Sequence, residues 1–160
     1  MIRTLILLRH AKSAWPEDIA DVARPLASRG LRDAPAAGRW LAEHAPRIDL
    51  VVCSTAVRAV QTWELVGAQI YPTPRVRHDE SLYGASTEDL LTTTRKLPAN
   101  VWTAILVGHN PGLETLLTAL TGIYELIKTS TIAIITTTDG WERSERGAWK
   151  LETLTTPRGR

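Results

Sequence analysis

The chain has a single cysteine, no phenylalanine, and only four lysines against fifteen arginines in 160 residues. One cysteine excludes an intrachain disulfide framework and any zinc cluster of several thiolates. Cys53 closes the apolar run Leu50-Val51-Val52-Cys53 and reads as a core residue. No charge of one sign predominates: 19 basic and 17 acidic residues leave a net charge of +2. That balance argues against a polybasic binder, so neither nucleic acid nor membrane is expected as a partner. Long hydrophobic runs are also missing. The apolar stretch from Met1 stops at Arg9-His10, after about eight residues, where a membrane helix needs roughly 20. It does not read as a secretory signal, and a soluble, cytoplasmic chain is expected. With 44% hydrophobic and 22% charged residues and no linker or internal repeat, residues 1–160 read as one globular domain.

Short apolar segments alternate with helical ones. Ile2–Leu8 is apolar on both faces, as a central parallel strand requires. Arg9–Ala27 is irregular. Ser28 is placed to cap a helix over Arg29–His44, with Pro35 expected to kink it. Asp49–Cys53 reads as a second buried strand, and Ser54 as the cap of a helix running to Gly67. Pro72 and Pro74 mark a loop before a short strand at Arg75–His78. Ser86-Thr87-Glu88-Asp89 has the form of a capping box opening a helix to Lys96. Val101–Val107 is a third apolar strand, followed by a helix with Pro111 in its first position and its end near Thr121-Gly122. Thr131–Thr136 and Ala148–Leu154 are late strands joined through an Asp139-Gly140 turn and the segment around Trp141. This alternation predicts an α/β three-layer sandwich, a mostly parallel sheet with helices on both faces.

Three strand ends carry chemistry. The first ends in Leu8-Arg9-His10-Ala11. The second ends in Cys53-Ser54-Thr55, with Arg58 one turn into the next helix. The third ends in Val107-Gly108-His109-Asn110-Pro111. Parallel strands place their carboxyl ends on one edge, where α/β folds bind ligands. Two arginines and two histidines converging there, with no designated acidic partner, make an anion site suited to a phosphoryl group. No His-x-His or His-Glu-x-x-His spacing occurs, so no metal and no cofactor is expected.

The order of these blocks resembles the histidine phosphatase superfamily, which includes the phosphoglycerate mutases, and more closely its short SixA-type phosphohistidine phosphatases. Leu7–Ser13 matches the first Arg-His motif, Arg24–Gly30 the segment after it, and Ser54–Thr62 the helix with the second arginine. Glu80–Tyr83 is similar to the segment that supplies an acid, and Val107–Gly112 to the second histidine motif. Two departures stand out. Ala11 replaces the usual glycine, a change that occurs among the SixA-like members. There is no long insertion between Glu80 and Val101 of the kind that builds a lid in larger relatives.

The resemblance implies a phosphoglycerate mutase-like fold and a metal-independent phosphatase with a covalent step. His10 is implied as the nucleophile. Arg9, Arg58 and His109 are implied to hold the phosphoryl oxygens, and Glu80 is the candidate acid or water-activating group. Ser13 and Lys12 are placed to line the phosphate site. Asn110 reaches a phosphate oxygen or caps its helix, Thr55 touches the pocket or starts its helix, and Trp15 forms a rim or packs. Asp79 is expected to face away, and His44 and His78 to be structural or surface residues. A lidless pocket favours phosphohistidine presented on a protein. Small phosphoesters such as a nucleotide or sugar phosphate are the alternative, and a non-catalytic phosphoprotein-binding module is a third reading. A sugar-phosphate mutase is disfavoured by the missing insertion, and a monomer is expected.

Overall fold

In the strands, alternate side chains go to opposite faces, and here both sets are apolar. Leu5 and Leu7 point to one side of the first strand, and Ile6 and Leu8 to the other. The computed structural model describes residues Met1–Arg160. The strands are β1 (Arg3–Arg9), β2 (Leu50–Cys53), β3 (Arg75–His78), β4 (Thr103–Gly108), β5 (Ile132–Thr137) and β6 (Lys150–Thr155). They form one sheet in the order β3-β2-β4-β1-β5-β6. The first four run parallel, and β5 is antiparallel to both of its neighbours.

Four helices cover the sheet: α1 (Ser28–His44), α2 (Val57–Gly67), α3 (Thr87–Arg95) and α4 (Gly112–Thr121). Leu5, Leu7, Val52 and Leu106 pack with leucines of α3 and α4 in one core. Ile6, Leu8, Val51 and Val107 pack with residues of α1 and α2 in the other. This is the expected three-layer sandwich. All six expected strands occur, with ends displaced by one or two residues. No helix is long and apolar enough to cross a membrane.

Three local expectations differ. Ser28 lies inside α1, whose N-cap is Ala27 with no side-chain cap, and α1 continues through Pro35 to His44. Helix α2 begins at Val57 behind Ala56, also without a side-chain cap. Ser54 is drawn away from capping because its hydroxyl meets His109, 2.7 Å distant. Pro111 is the N-cap of α4 rather than its first residue. The expected capping box does form at α3, with Ser86 and Asp89 exchanging hydrogen bonds.

Register brings the chemistry-bearing ends level. Leu8 pairs with Val107, Arg9 with Gly108, and Cys53 with Val107. The segments leaving β1, β2 and β4 therefore share one edge of the sheet.

Candidate active site

The turn after β1 is held from several directions. The His10 N–H donates to the Gly108 carbonyl at 3.1 Å, and the Ser130 N–H donates to the carbonyls of Arg9 (3.2 Å) and His10 (3.1 Å). Ser130 does this at φ +65, the left-handed region that most non-glycine residues avoid. The Ala11 N–H donates to Thr62 Oγ1 at 3.0 Å, and that hydroxyl donates to the Arg58 carbonyl at 2.6 Å, tying the turn to α2. Gly30 lets α1 pass close by, since a Cβ there would lie 2.2 Å from the Lys12 carbonyl oxygen.

This scaffold brings Arg9, His10, Ser13, Arg58, His109 and Asn110 to a single cleft of about 200 Å³, which Lys12, Trp15, Arg24 and Thr129 also line. His10 forms its floor and is 5% exposed. Its Nδ1 faces the Ala11 carbonyl at 2.8 Å and so carries the ring proton. The lone pair of Nε2 is left facing Arg58 Nε, 3.4 Å away. Burial, reinforced by the positive field of His109, Arg58 and Arg9, pushes the His10 pKa down to about 3. The ring is neutral at physiological pH, and its Nε2 lone pair takes only the long hydrogen bond from Arg58 Nε.

His109 lies beside it, with ring centroids 5.3 Å apart. Burial, then the Arg58 charge, lowers its pKa to about 4. Ser54 Oγ accepts the Ala56 N–H at 3.3 Å, so its own proton is available for His109 Nε2. With Ser54 as the donor the ring hydrogen lies on Nδ1, a buried atom with no protein partner. Arg9 gives one bond to the Ile127 carbonyl at 3.0 Å, while its Nε is buried and unpartnered. His109 Nδ1 and Arg9 Nε are thus buried polar atoms without partners, and they belong to two of the residues that line the cleft.

Asn110 donates to the Ile127 carbonyl at 2.7 Å, fixing the loop before β5. Ser13 Oγ accepts from Arg24 at 3.0 Å. Trp15 is 74% exposed and lies against Arg24, whose guanidinium carbon sits 3.5 Å from its ring centroid. Thr55 and His78 are exposed, and His44 stacks on Trp40 at the surface. Cys53 is buried in the core as expected, and desolvation pushes its thiol up to about 12.

Glu80 is not brought to the cleft. It begins the 3₁₀ turn Glu80–Leu82, its side chain is exposed, and it makes no side-chain hydrogen bond or ion pair. Neighbouring Asp79 is taken up in capping that turn, accepting from the Ser81 N–H and hydroxyl at 2.9 and 2.6 Å. The turn that begins at Glu80 decides where its carboxylate points, whereas Asp79 keeps an extended backbone.

A different carboxylate reaches the site. Asp21, in the 3₁₀ turn Asp21–Ala23, accepts from Arg24 Nε at 3.0 Å, Arg58 Nη2 at 3.1 Å and the Tyr83 hydroxyl at 2.5 Å. Its backbone carbonyl takes Arg58 Nη1 at 2.7 Å. The Tyr83 hydroxyl, then Arg24 and Arg58, hold the Asp21 carboxyl at about 2. The Tyr83 ring meets His109 edge-on at 5.5 Å. Sequence reading missed the roles of Asp21, Arg24 and Tyr83. The last two lie inside the motif segments already quoted, which is a usable signal, whereas nothing local marks Asp21. No group of three or more His, Cys, Asp and Glu side chains is placed to hold a metal ion.

Residues 5–96 match the family model described as histidine phosphatase superfamily, branch 1. An uncharacterised protein of Mycobacterium tuberculosis is 38% identical over 162 residues, which is 94% of this chain and 100% of that one. Among solved structures, an inferred phosphohistidine phosphatase SixA from Nakamurella multipartitia has a TM-score of 0.87 at 31% identity, covering 98% of this chain and 97% of that one. Its counterpart from Agrobacterium tumefaciens, likewise assigned by inference, has a TM-score of 0.84 at 27% identity over 97% and 98%.

Proposed function

The chain belongs to the histidine phosphatase superfamily, branch 1, and is a histidine-type phosphatase; on that footing we propose that His10 is its phosphoryl acceptor and protein-borne phosphohistidine its substrate. His10 Nε2 attacks phosphorus in line, and the leaving group departs toward the mouth of the cleft. Arg9, Arg58 and His109 take the equatorial oxygens and neutralise the charge that develops on them. Water then hydrolyses the phosphorylated His10. Neutrality of the ring is the first requirement of a nucleophile, and burial meets it.

The substrate class rests on one observation. The carboxylate at the site, Asp21, is held ionised by Tyr83, Arg24 and Arg58, and Glu80 makes no contact there. An alkoxide leaving group needs a proton in the transition state; the ionised Asp21 does not supply it, and Glu80 does not line the cleft. An imidazole protonated on its second ring nitrogen leaves from phosphorus as a neutral molecule. The Nakamurella neighbour bears a phosphohistidine phosphatase assignment as well, which points the same way.

The test is a substrate panel with His10→Ala alongside. Phosphohistidine on a protein should be hydrolysed with kcat/KM at least about 100-fold above that for alkyl phosphates, the range that general acid assistance spans. An acid-labile, base-stable phosphoenzyme should accumulate in the parent and be absent in the variant. Preference for a nucleotide or sugar phosphate would replace the substrate assignment. Turnover above a few per cent in His10→Ala would remove the covalent mechanism. Phosphoprotein binding with no turnover of any substrate would favour a binding module.

A further inference from the structure

Asp21 stands in an unusual place for a lone carboxylate, at the entrance of an anion site. His10 and Arg58 are 5% and 6% exposed, whereas the Asp21 side chain is 47% exposed. Arg58 thus stands between the buried His10 and Asp21, with Nε toward the first and Nη2 toward the second, and Asp21 lies on the solvent side of that guanidinium. A carboxylate has about four acceptor positions. Three are filled from different elements: Arg24 from its own loop, Arg58 from α2, and Tyr83 from the turn after β3. Those donors fix the orientation of the carboxylate, two on Oδ2 and one on Oδ1, and leave one acceptor position on Oδ1.

We infer that Asp21 determines leaving-group specificity: its remaining acceptor position receives the N–H of a departing imidazole, selecting phosphorus–nitrogen substrates over phosphate esters. This rests on the phosphohistidine reading above and names the residue that enforces it. The bonds balance without an added acid. The Nε2 pair of His10 forms the new N–P bond. The substrate P–N bond breaks with its pair staying on the imidazole nitrogen, so the protonated ring departs neutral. The proton on its far nitrogen stays in place, hydrogen-bonded to Asp21. An oxygen leaving group offers no such donor and carries growing negative charge toward the carboxylate, so the same residue that favours one class disfavours the other. Arg9, Arg24 and Arg58 outnumber Asp21 in the cleft, so attraction of the phosphoryl group persists.

The experiment compares Asp21→Asn with the parent on a 3-phosphohistidine peptide and on 4-nitrophenyl phosphate, with Tyr83→Phe as a control that removes one donor but keeps the carboxylate. Asp21→Asn should lose about 10- to 100-fold in kcat/KM on the peptide, the size of one hydrogen bond to a charged group. On the nitrophenyl ester the loss should be at least tenfold smaller, or replaced by a gain. Asp21→Glu should recover part of the discrimination, and Asp21→Ser carries the same expectation as asparagine should that variant fold poorly. Equal losses on both substrates would show that Asp21 only positions Arg58 and would overturn the inference. Gains on both would show that it merely competes with the phosphoryl group for Arg58, and would overturn it too. A parent enzyme that hydrolyses the ester and not the peptide would overturn the substrate reading itself, and that failure shows before any variant is made.

Discussion

Replacing His10 with asparagine should flatten the acid side of the stability curve. The unfolded ring protonates near 6.5, whereas in the fold burial first, and then the nearby charges of His109, Arg58 and Arg9, keep it neutral down to about 3. Between those values the unfolded chain binds the extra proton, so stability falls as the pH is lowered through this window. At pH 5, which is 1.5 pH units below the unfolded value, the loss due to His10 is about 2 kcal/mol. Carried to pH 3 it reaches about 4 kcal/mol, comparable to the whole stability of a marginal domain. His10 is almost fully buried, so solvent screening does not discount the figure. His109 contributes with the same sign, but it is present in both proteins and cancels from their difference. Urea unfolding at pH 7.5, 6 and 5 measures it: the parent should lose about 2 kcal/mol more than His10→Asn between the first and last points. Parallel losses would refute the reasoning, because they would mean that the folded ring protonates as readily as the unfolded one. The same burial predicts that an acidic limb of kcat/KM near pH 6 does not come from His10, whose pKa lies at about 3.

Ser54→Ala should lower kcat/KM about tenfold while raising KM less than twofold, because His109 loses the hydroxyl that sets its tautomer; nitrogen NMR of the ring should show a change in the protonated nitrogen, and an unchanged spectrum would dismiss the tautomer argument. Glu80→Gln should change turnover of phosphohistidine less than about twofold, since its side chain is exposed and unpartnered; a tenfold loss of kcat would return it to the reaction. Gly30→Ala should destabilise the fold by about 1–3 kcal/mol through contact with the Lys12 carbonyl, read as a lowered urea midpoint with an unchanged slope.

The sheet was legible because its strands are buried on both faces. Ile2–Leu8 and Val101–Val107 have no polar side to confuse the period. From parallel strands it follows that Arg9, His10, Arg58 and His109 share an edge, although they are spread over 100 residues. Contacts that depend on loop geometry were not legible. Asp21 reaches Arg58 across 37 positions and Tyr83 across 62, and no local periodicity constrains a turn in that stretch. Ser54 illustrates the opposite failure. A serine just before a helix reads as a cap, but His109, 55 positions away, makes the shorter bond to its hydroxyl. Glu80 shows a third limit: it opens a 3₁₀ turn, in which strand alternation no longer says which way a side chain points.

Depth is what separates the charges of this site. A carboxylate against His10 would stabilise the imidazolium, whose second ring proton takes up the lone pair a nucleophile needs. The chain keeps its carboxylate one guanidinium away: Arg58 turns Nε toward His10 and Nη2 toward Asp21. The Arg58 charge lowers the His10 pKa, and Arg58 also helps hold Asp21 ionised at the mouth. On the phosphohistidine reading proposed above, a single arginine serves two histidine rings at once, one on the enzyme and one arriving on the substrate. The first must be neutral to act as nucleophile. The second must be protonated to depart. Uniformly positive surroundings would satisfy only the first of these, and a buried acid pair would satisfy neither. The gradient from a dry, cationic floor to a wet, anionic rim satisfies both, and it follows from placing Asp21 on an exposed turn rather than on a strand end.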